Sequence, residues 1–271
     1  MTVKNFAPPI KPDLPTNRRF ASFRAIGALM LREMATSYGR SPGGYIWAIL
    51  EPVAGVMVLT VVFSAFMRAP SLGISFPMFY STGMMPFIMF SSLQGKVAGA
   101  LNYSRPLLAY PTVTFVDAIL ARLILDVITK LLVGYIVLGG IMIVLETRTT
   151  PDLPIILQSY ALMIMLGLGI GTLNCYLFSR FPLYHKGWSI VTRPLFIISG
   201  VIFLFDDVPL PFRDYLWYNP LVHPIGLMRR GFYPTYDAPY VSLLYPSLVA
   251  IISLTLGLML LRRYHRDLLS R

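Results

Sequence analysis

The side chains of this sequence best placed to do chemistry are charged residues inside long apolar runs. Glu51 lies about two turns into one such run, where a carboxylate is costly unless it is paired or wetted. It therefore points toward a protein interior or a water-filled path. Arg122, Asp126 and Lys130 recur every four residues. On a helix they share one face, and ion pairing within that helix accounts for them. Membership of a polar pathway is the other reading of the same three residues. Asp206 and Asp207 have no neighbours to complete a coordination shell and read as a solvated cap or turn. His185, His223 and His265 lack metal-ligand spacing and read as solvated loop or interface residues. No phosphate loop of the G-x-x-x-x-G-K-[ST] type occurs. The single cysteine, Cys175, excludes an intrachain disulfide.

These residues sit in a chain built for lipid. Of 271 residues, 56% are apolar and only 13% are charged, beyond the usual balance of a soluble domain. A helix crosses a hydrocarbon core of about 30 Å with about 20 residues. Six stretches fit that length: roughly Tyr45–Met67, Phe76–Val97, the longer Val113–Leu145, Leu153–Phe178, the marginal Ser189–Phe205 and Val241–Leu261. Gly83, Ser91 and Ser92 in the second allow close helix approach, and Gly167, Gly169 and Gly171 in the fourth mark tight packing or a flexible stretch. There is no internal repeat to support two inverted halves.

Residues 1–17, with four prolines, read as an extended cytoplasmic tail, and no cleavable signal is expected there. Over residues 18–40 a helical projection places Phe20, Phe23, Ile26, Gly27, Met30, Leu31 and Met34 on one side. Arg18, Arg24, Arg32 and Glu33 lie opposite, with Leu29 as the exception. That pattern predicts an amphipathic helix lying in the membrane interface. Residues 41–271 form the membrane domain. The net charge of +11 is not gathered on a soluble basic face. Sixteen Lys and Arg lie on the termini and on the connectors 96–111 and 179–193. Five (Arg68, Arg148, Arg213, Arg229, Arg230) accompany six acids on the other side. This asymmetry predicts both termini in the cytoplasm and contact with anionic lipid rather than nucleic acid. The predicted fold class is all-α integral membrane, with six transmembrane helices, the interfacial helix and a re-entrant helical segment before the last span.

The most specific local pattern is Leu31–Pro52, LREMATSYGRSPGGYIWAILEP. Its glycines and Pro42 permit a sharp redirection from lying along the membrane to crossing it. Tyr45 and Trp47 suit headgroup depth. The segment resembles the opening of the inner-membrane permease subunits of ATP-binding-cassette polysaccharide exporters, particularly the KpsM-like capsular polysaccharide permeases. In that family a run similar to RYGRSxxGYxWAxxEP follows an interfacial helix. Ser37 stands here where the resemblance leads one to expect a basic residue. The likeness extends over essentially the whole chain.

The resemblance implies an ATP-driven exporter that moves a capsular or related lipid-linked anionic polysaccharide across the bacterial inner membrane. It implies a homodimer with the path at its interface, and two copies of a separate ATPase subunit that hold the ATP and Mg. This chain then carries no cofactor and is a transport subunit, not an enzyme. Periplasmic and outer-membrane export proteins are implied further along the route. Tyr38, Arg40, Tyr45, Trp47 and Glu51 are the expected cytoplasmic-side pathway residues. The connector at about 98–111 is the expected coupling element, with Asn102, Tyr103 and Arg105 as its ATPase contacts. The outer segment at about 206–240 holds six prolines and many aromatics, including Trp217 and Tyr218. A helix pair broken at Asn219-Pro220 fits it, and so does an aromatic belt with proline-rich turns. The resemblance makes it a periplasmic gate. Other readings are a permease for O-antigen, teichoic acid or small hydrophobic compounds, or a membrane-embedded glycosyl- or acyltransferase. The transferase needs an acid/base constellation that these residues do not assemble.

Overall fold

The computed structural model describes residues 21–37, 44, 46–106 and 113–269. Among them the chain is helical, without strands: α1 (Ala21–Ser37), α2 (Ile46–Ser64), α3 (Phe76–Ala98), α4 (Ala100–Ser104), α5 (Phe115–Val144), α6 (Leu153–Arg180), α7 (Pro182–Ile198), α8 (Phe212–Trp217), α9 (Val222–Phe232) and α10 (Leu244–Leu269). Helices α10, α6, α3 and α5 pack in that order as neighbours. Around this row α2 leans on α3 and α5, α1 on α5, α9 on α3 and α6, and α7 on α6.

Among the described residues, four helices are long and apolar enough to cross a membrane: α2, α5, α6 and the Leu244–Tyr264 part of α10. Their outer faces expose large apolar side chains such as Met57, Val61, Tyr135, Ile143, Ile252 and Met259, as lipid-facing surface should. Helix α3 has 23 residues but is more polar, with Ser81, Thr82 and Gln94 buried along it. Neighbours on several sides enclose it, so protein rather than lipid meets those groups. The Ser81 hydroxyl donates to the Pro77 carbonyl at 2.6 Å and Thr82 to the Phe79 carbonyl at 2.8 Å, which satisfies them inside their own helix.

Local chemistry sets the helix ends. Thr114 and Asp117 form a reciprocal capping box at the start of α5. From there α5 runs unbroken for 30 residues, about 45 Å at 1.5 Å per residue. The long apolar region is thus one helix that outreaches a bilayer core. The glycines of α6 are packing devices. A Cβ on Gly167 or Gly171 would lie 2.8 Å from the Cβ of Leu93 or Val97 of α3. A Cβ on Gly169 would lie 2.3 Å from the Ala250 carbonyl oxygen of α10, and one on Gly257 would strike the backbone at Leu173. Alternate glycines therefore admit two helices on two faces of α6.

The limits of two predicted spans shift. Helix α7 begins at Pro182, seven residues before the expected Ser189, and ends at Ile198, seven short of Phe205. Proline in a first turn has its φ preset for a helix, so the expected connector SRFPLYHKGW is already helical. Gly200 ends it with φ +77, the left-handed stop that glycine adopts without strain. Helix α10 continues past Leu261 to Leu269. In the outer segment, α8 and α9 are separated at Tyr218–Leu221, where the break at Asn219-Pro220 was expected. The Asn219 side-chain oxygen accepts from the Leu221 N–H at 3.1 Å, a local turn that competes with helix.

Candidate functional site

Tyr38, Arg40 and Tyr45 lie outside the described residues. Of the remaining pathway candidates on the first predicted span, Trp47 and Glu51 sit on α2 and are both exposed. Glu51 lines a cavity of about 440 Å³ together with Ser91 and Ser92 of α3, Lys130 of α5 and Phe196 of α7. Phe196 meets Phe87 edge to face, with centroids 5.2 Å apart.

The charged triad of α5 does not pair with itself, contrary to the simplest reading of its spacing. Asp126 is 0% exposed, and its Oδ1 accepts from Lys96 Nζ of α3 at 2.8 Å and from the Ser92 hydroxyl at 3.0 Å. Arg122 Nε instead donates to Glu33 Oε1 of α1 at 3.1 Å. Packing decides the outcome: α1 and α3 both lie against α5 and bring their own charged groups to that face. Glu33 was expected on the outward polar side of α1, yet it is buried, and so is Leu29. Phe23 and Leu31 are exposed instead. The apolar stripe of α1 is therefore divided. Phe23 and Leu31 face away from the protein, whereas Ile26 and Met30 are half-buried. Met30 and Met34 line a cavity with residues of α2 and α5, while Glu33 and the apparent exception, Leu29, dock the helix.

The connector after α3 divides its three candidates. Asn102 and Arg105 are exposed, whereas Tyr103 is turned inward beneath α1. Its ring lies between two guanidinium groups, Arg32 at 5.3 Å and Arg122 at 4.6 Å from the ring centroid. Its hydroxyl is bonded to the Thr36 hydroxyl. One aromatic side chain thereby ties α4 to α1 and α5 through paired cation–π contacts, each worth about 0.5–2 kcal/mol.

The outer segment is built around buried polar anchors. Trp217 donates from Nε1 to the Tyr240 carbonyl at 3.0 Å and stacks on Tyr245 at 5.1 Å. Tyr218 is 67% exposed. Both line a cavity of about 580 Å³ that also includes Asp206, Arg213 and Tyr240. The Tyr236 hydroxyl donates to Asp206 at 2.9 Å. Burial raises the pKa of that phenol, so it stays protonated and able to donate. His223 is buried, not solvated as its sequence position suggested. Its Nδ1 accepts from the Ser242 N–H at 3.2 Å, which leaves Nε2–H to donate to the Trp217 carbonyl at 3.1 Å. Arg229, expected among the outward positive charges, is fully enclosed. It donates to the Phe203 and Val201 carbonyls at 2.7 and 2.9 Å and lies 4.4 Å from the Phe79 ring centroid.

A polar bridge that the sequence did not announce joins three helices. The Gln94 side-chain oxygen accepts from Asn174 Nδ2 and Trp188 Nε1, each at 3.2 Å, and Tyr184 donates to Asn174 at 3.0 Å. The only warning was a pair of amides inside two apolar runs. Among the described residues no group of three or more His, Cys, Asp or Glu is placed to hold a metal ion.

Comparison with known proteins gives this geometry its setting. The family described as ABC-2 type transporter matches residues 24–233. A polysialic acid transport protein KpsM of Escherichia coli is 34% identical over 248 residues, covering 90% of this chain and 95% of its own. The capsule polysaccharide export inner-membrane protein CtrC of Neisseria meningitidis serogroup A is 26% identical over 243 residues, 90% and 92% of the two chains. The O-antigen export system permease protein RfbA of Myxococcus xanthus matches only 30% of each chain, at 33% identity. The matched stretch runs from α1 to the end of α9 and takes in the Glu51 cavity, the Tyr103 contacts and the Arg229 anchor, and on that breadth the chain belongs to the ABC-2 type transporter family.

Proposed function

We propose that this chain is the transmembrane permease subunit of an ATP-driven exporter that carries capsular or related lipid-linked polysaccharide across the bacterial inner membrane. The observation that carries the reading is similarity over nine-tenths of the chain to proteins described as polysialic acid transport and capsule polysaccharide export proteins. The O-antigen permease shares only a short stretch and does not displace that reading. In it, α2, α3, α5, α6, α7 and α10 make six crossings with both termini cytoplasmic. Helix α1 lies in the interface with Phe23 and Leu31 in lipid, and α8 and α9 re-enter the outer leaflet. Two copies form the path, and each works with an ATPase subunit that binds ATP and Mg. Tyr38, Arg40, Tyr45, Trp47 and Glu51 shape the inner opening; Trp217 and Tyr218 belong to the outer gate.

The coupling route follows from chemistry. Exposed Asn102 and Arg105 are the docking contacts for the ATPase. Tyr103 is the relay, because its ring is held by Arg32 of α1 and Arg122 of α5. A push on α4 then reaches the interfacial helix and the long span together.

The experiment is reconstitution into vesicles, with and without the ATPase that co-purifies with this chain from native membranes. Labelled acidic glycan should cross only when both proteins and ATP are present. Passage driven by the solitary chain overturns the proposal.

A further inference from the structure

Of the three charged residues spaced along α5, Lys130 alone forms no ion pair among the described residues. Its neighbour one turn back on α5, Asp126, is engaged by Lys96 and Ser92. Glu51 lines the same cavity as Lys130, yet the two form no ion pair. An ammonium held at membrane depth without a counter-ion is costly, unless water or a ligand supplies what the protein withholds. The cavity offers more than charge. Ser91 and Ser92 present hydroxyls, Glu51 an acceptor, and the Phe87–Phe196 pair an aromatic wall. Its volume of about 440 Å³ lies in the range of sites for small ligands, about 300–1,000 Å³.

We infer that this cavity binds one acidic sugar unit of the exported glycan. The anionic group, carboxylate or phosphate, pairs with Lys130. Ring hydroxyls donate to Glu51, and the apolar ring face lies against Phe87 and Phe196. A neutral sugar gains only the last two contacts and leaves Lys130 unpaired, so the site discriminates by charge. The inference rests on the export reading and deepens it by naming where along the path an acidic unit is recognised.

Cysteine protection tests this on the full-length chain in membranes. Cys175 is buried and is replaced in Cys175→Ala. Ser91→Cys in that background places one reactive thiol on the cavity wall. A trimer of sialic acid or glucose 1-phosphate should slow labelling by a neutral maleimide about fivefold when present at about four times its Kd. Maltotriose should not. Whichever of the first two protects reports whether the anion read is a carboxylate or a phosphate. Lys130→Gln should abolish protection, and Lys130→Arg, which keeps the charge, should retain it. Equal protection by maltotriose, no protection by any of the three, an unreactive thiol at position 91, or protection that survives Lys130→Gln overturns the site. Failure of the export reading looks different: cells lacking this chain would still place acidic glycan on their surface, whatever the thiol reports.

Discussion

The Lys96–Asp126 pair makes an asymmetric prediction. Asp126 is 0% exposed and Lys96 is 22% exposed, with 2.8 Å between ammonium and carboxylate. Removing the lysine strands a carboxylate that cannot reach water, and breaking a buried pair in that way costs about 3–5 kcal/mol. Removing the aspartate leaves a lysine near the end of α3 whose flexible stem can carry its charge outward. That loss is nearer the worth of one charged hydrogen bond, about 1.5–3 kcal/mol. Removing both lets apolar groups pack in the gap, which is often neutral. Lys96→Met should therefore destabilise more than Asp126→Leu, and the double variant should lie within about 1 kcal/mol of the parent. Reversible unfolding in mixed detergent and SDS micelles, followed by far-ultraviolet circular dichroism, gives the four free energies. Running the cycle in a Lys130→Gln background removes the lysine one turn away as a substitute partner. Equal single costs that simply add would refute the reasoning, because they would mean that the carboxylate is hydrated and the pair is incidental.

Tyr103→Ala should uncouple the transporter: the reconstituted complex keeps hydrolysing ATP while glycan movement falls. Tyr103→Phe, which retains the ring between the two guanidiniums, should keep most transport. Gly169→Leu should separate α6 from α10 and destabilise by more than the usual overpacking cost of about 1–3 kcal/mol, because the obstacle is the Ala250 backbone. Gly139→Ala is the control, since nothing lies within 4 Å of a Cβ there. It should be neutral or stabilising by up to about 1 kcal/mol in the same unfolding assay. Arg229→Lys should loosen the outer segment, since one ammonium cannot copy the guanidinium's fork to two carbonyls. Faster protease cleavage between α7 and α9 would report it.

Much of the fold was legible because lipid imposes simple rules. Apolar length marked α2, α5, α6 and α10, and Asn219-Pro220 marked the break between α8 and α9. The limits of α7 were missed because hydropathy alone located the span, and Pro182 was treated as connector where it starts the helix. The threefold glycine pattern of α6 was readable as close packing or a flexible stretch, and the structure shows close packing. Which glycine met which neighbour was not, since Gly167 and Gly171 serve α3 while Gly169 serves α10. That assignment depends on the order of helices around α6, a long-range property.

Charge partners were the least legible feature, for a physical reason. Spacing of four residues makes Arg122, Asp126 and Lys130 neighbours on one helix, but in a low-dielectric interior the geometry of the pair matters more than proximity along the chain. Helices α1 and α3 bring Glu33 and Lys96 within hydrogen-bonding distance, and those partners take Arg122 and Asp126. Burial follows the same logic at Arg229, which a count of charges between spans treats as surface. Two backbone carbonyls and the Phe79 ring receive it where the chain leaves α7. Periodicity grouped Lys130 with Arg122 and Asp126, and Lys130 is the one of the three that remains after these pairings. It stands out only once its neighbours' partners are known, and that is why the acidic-sugar site is an inference from structure rather than from sequence.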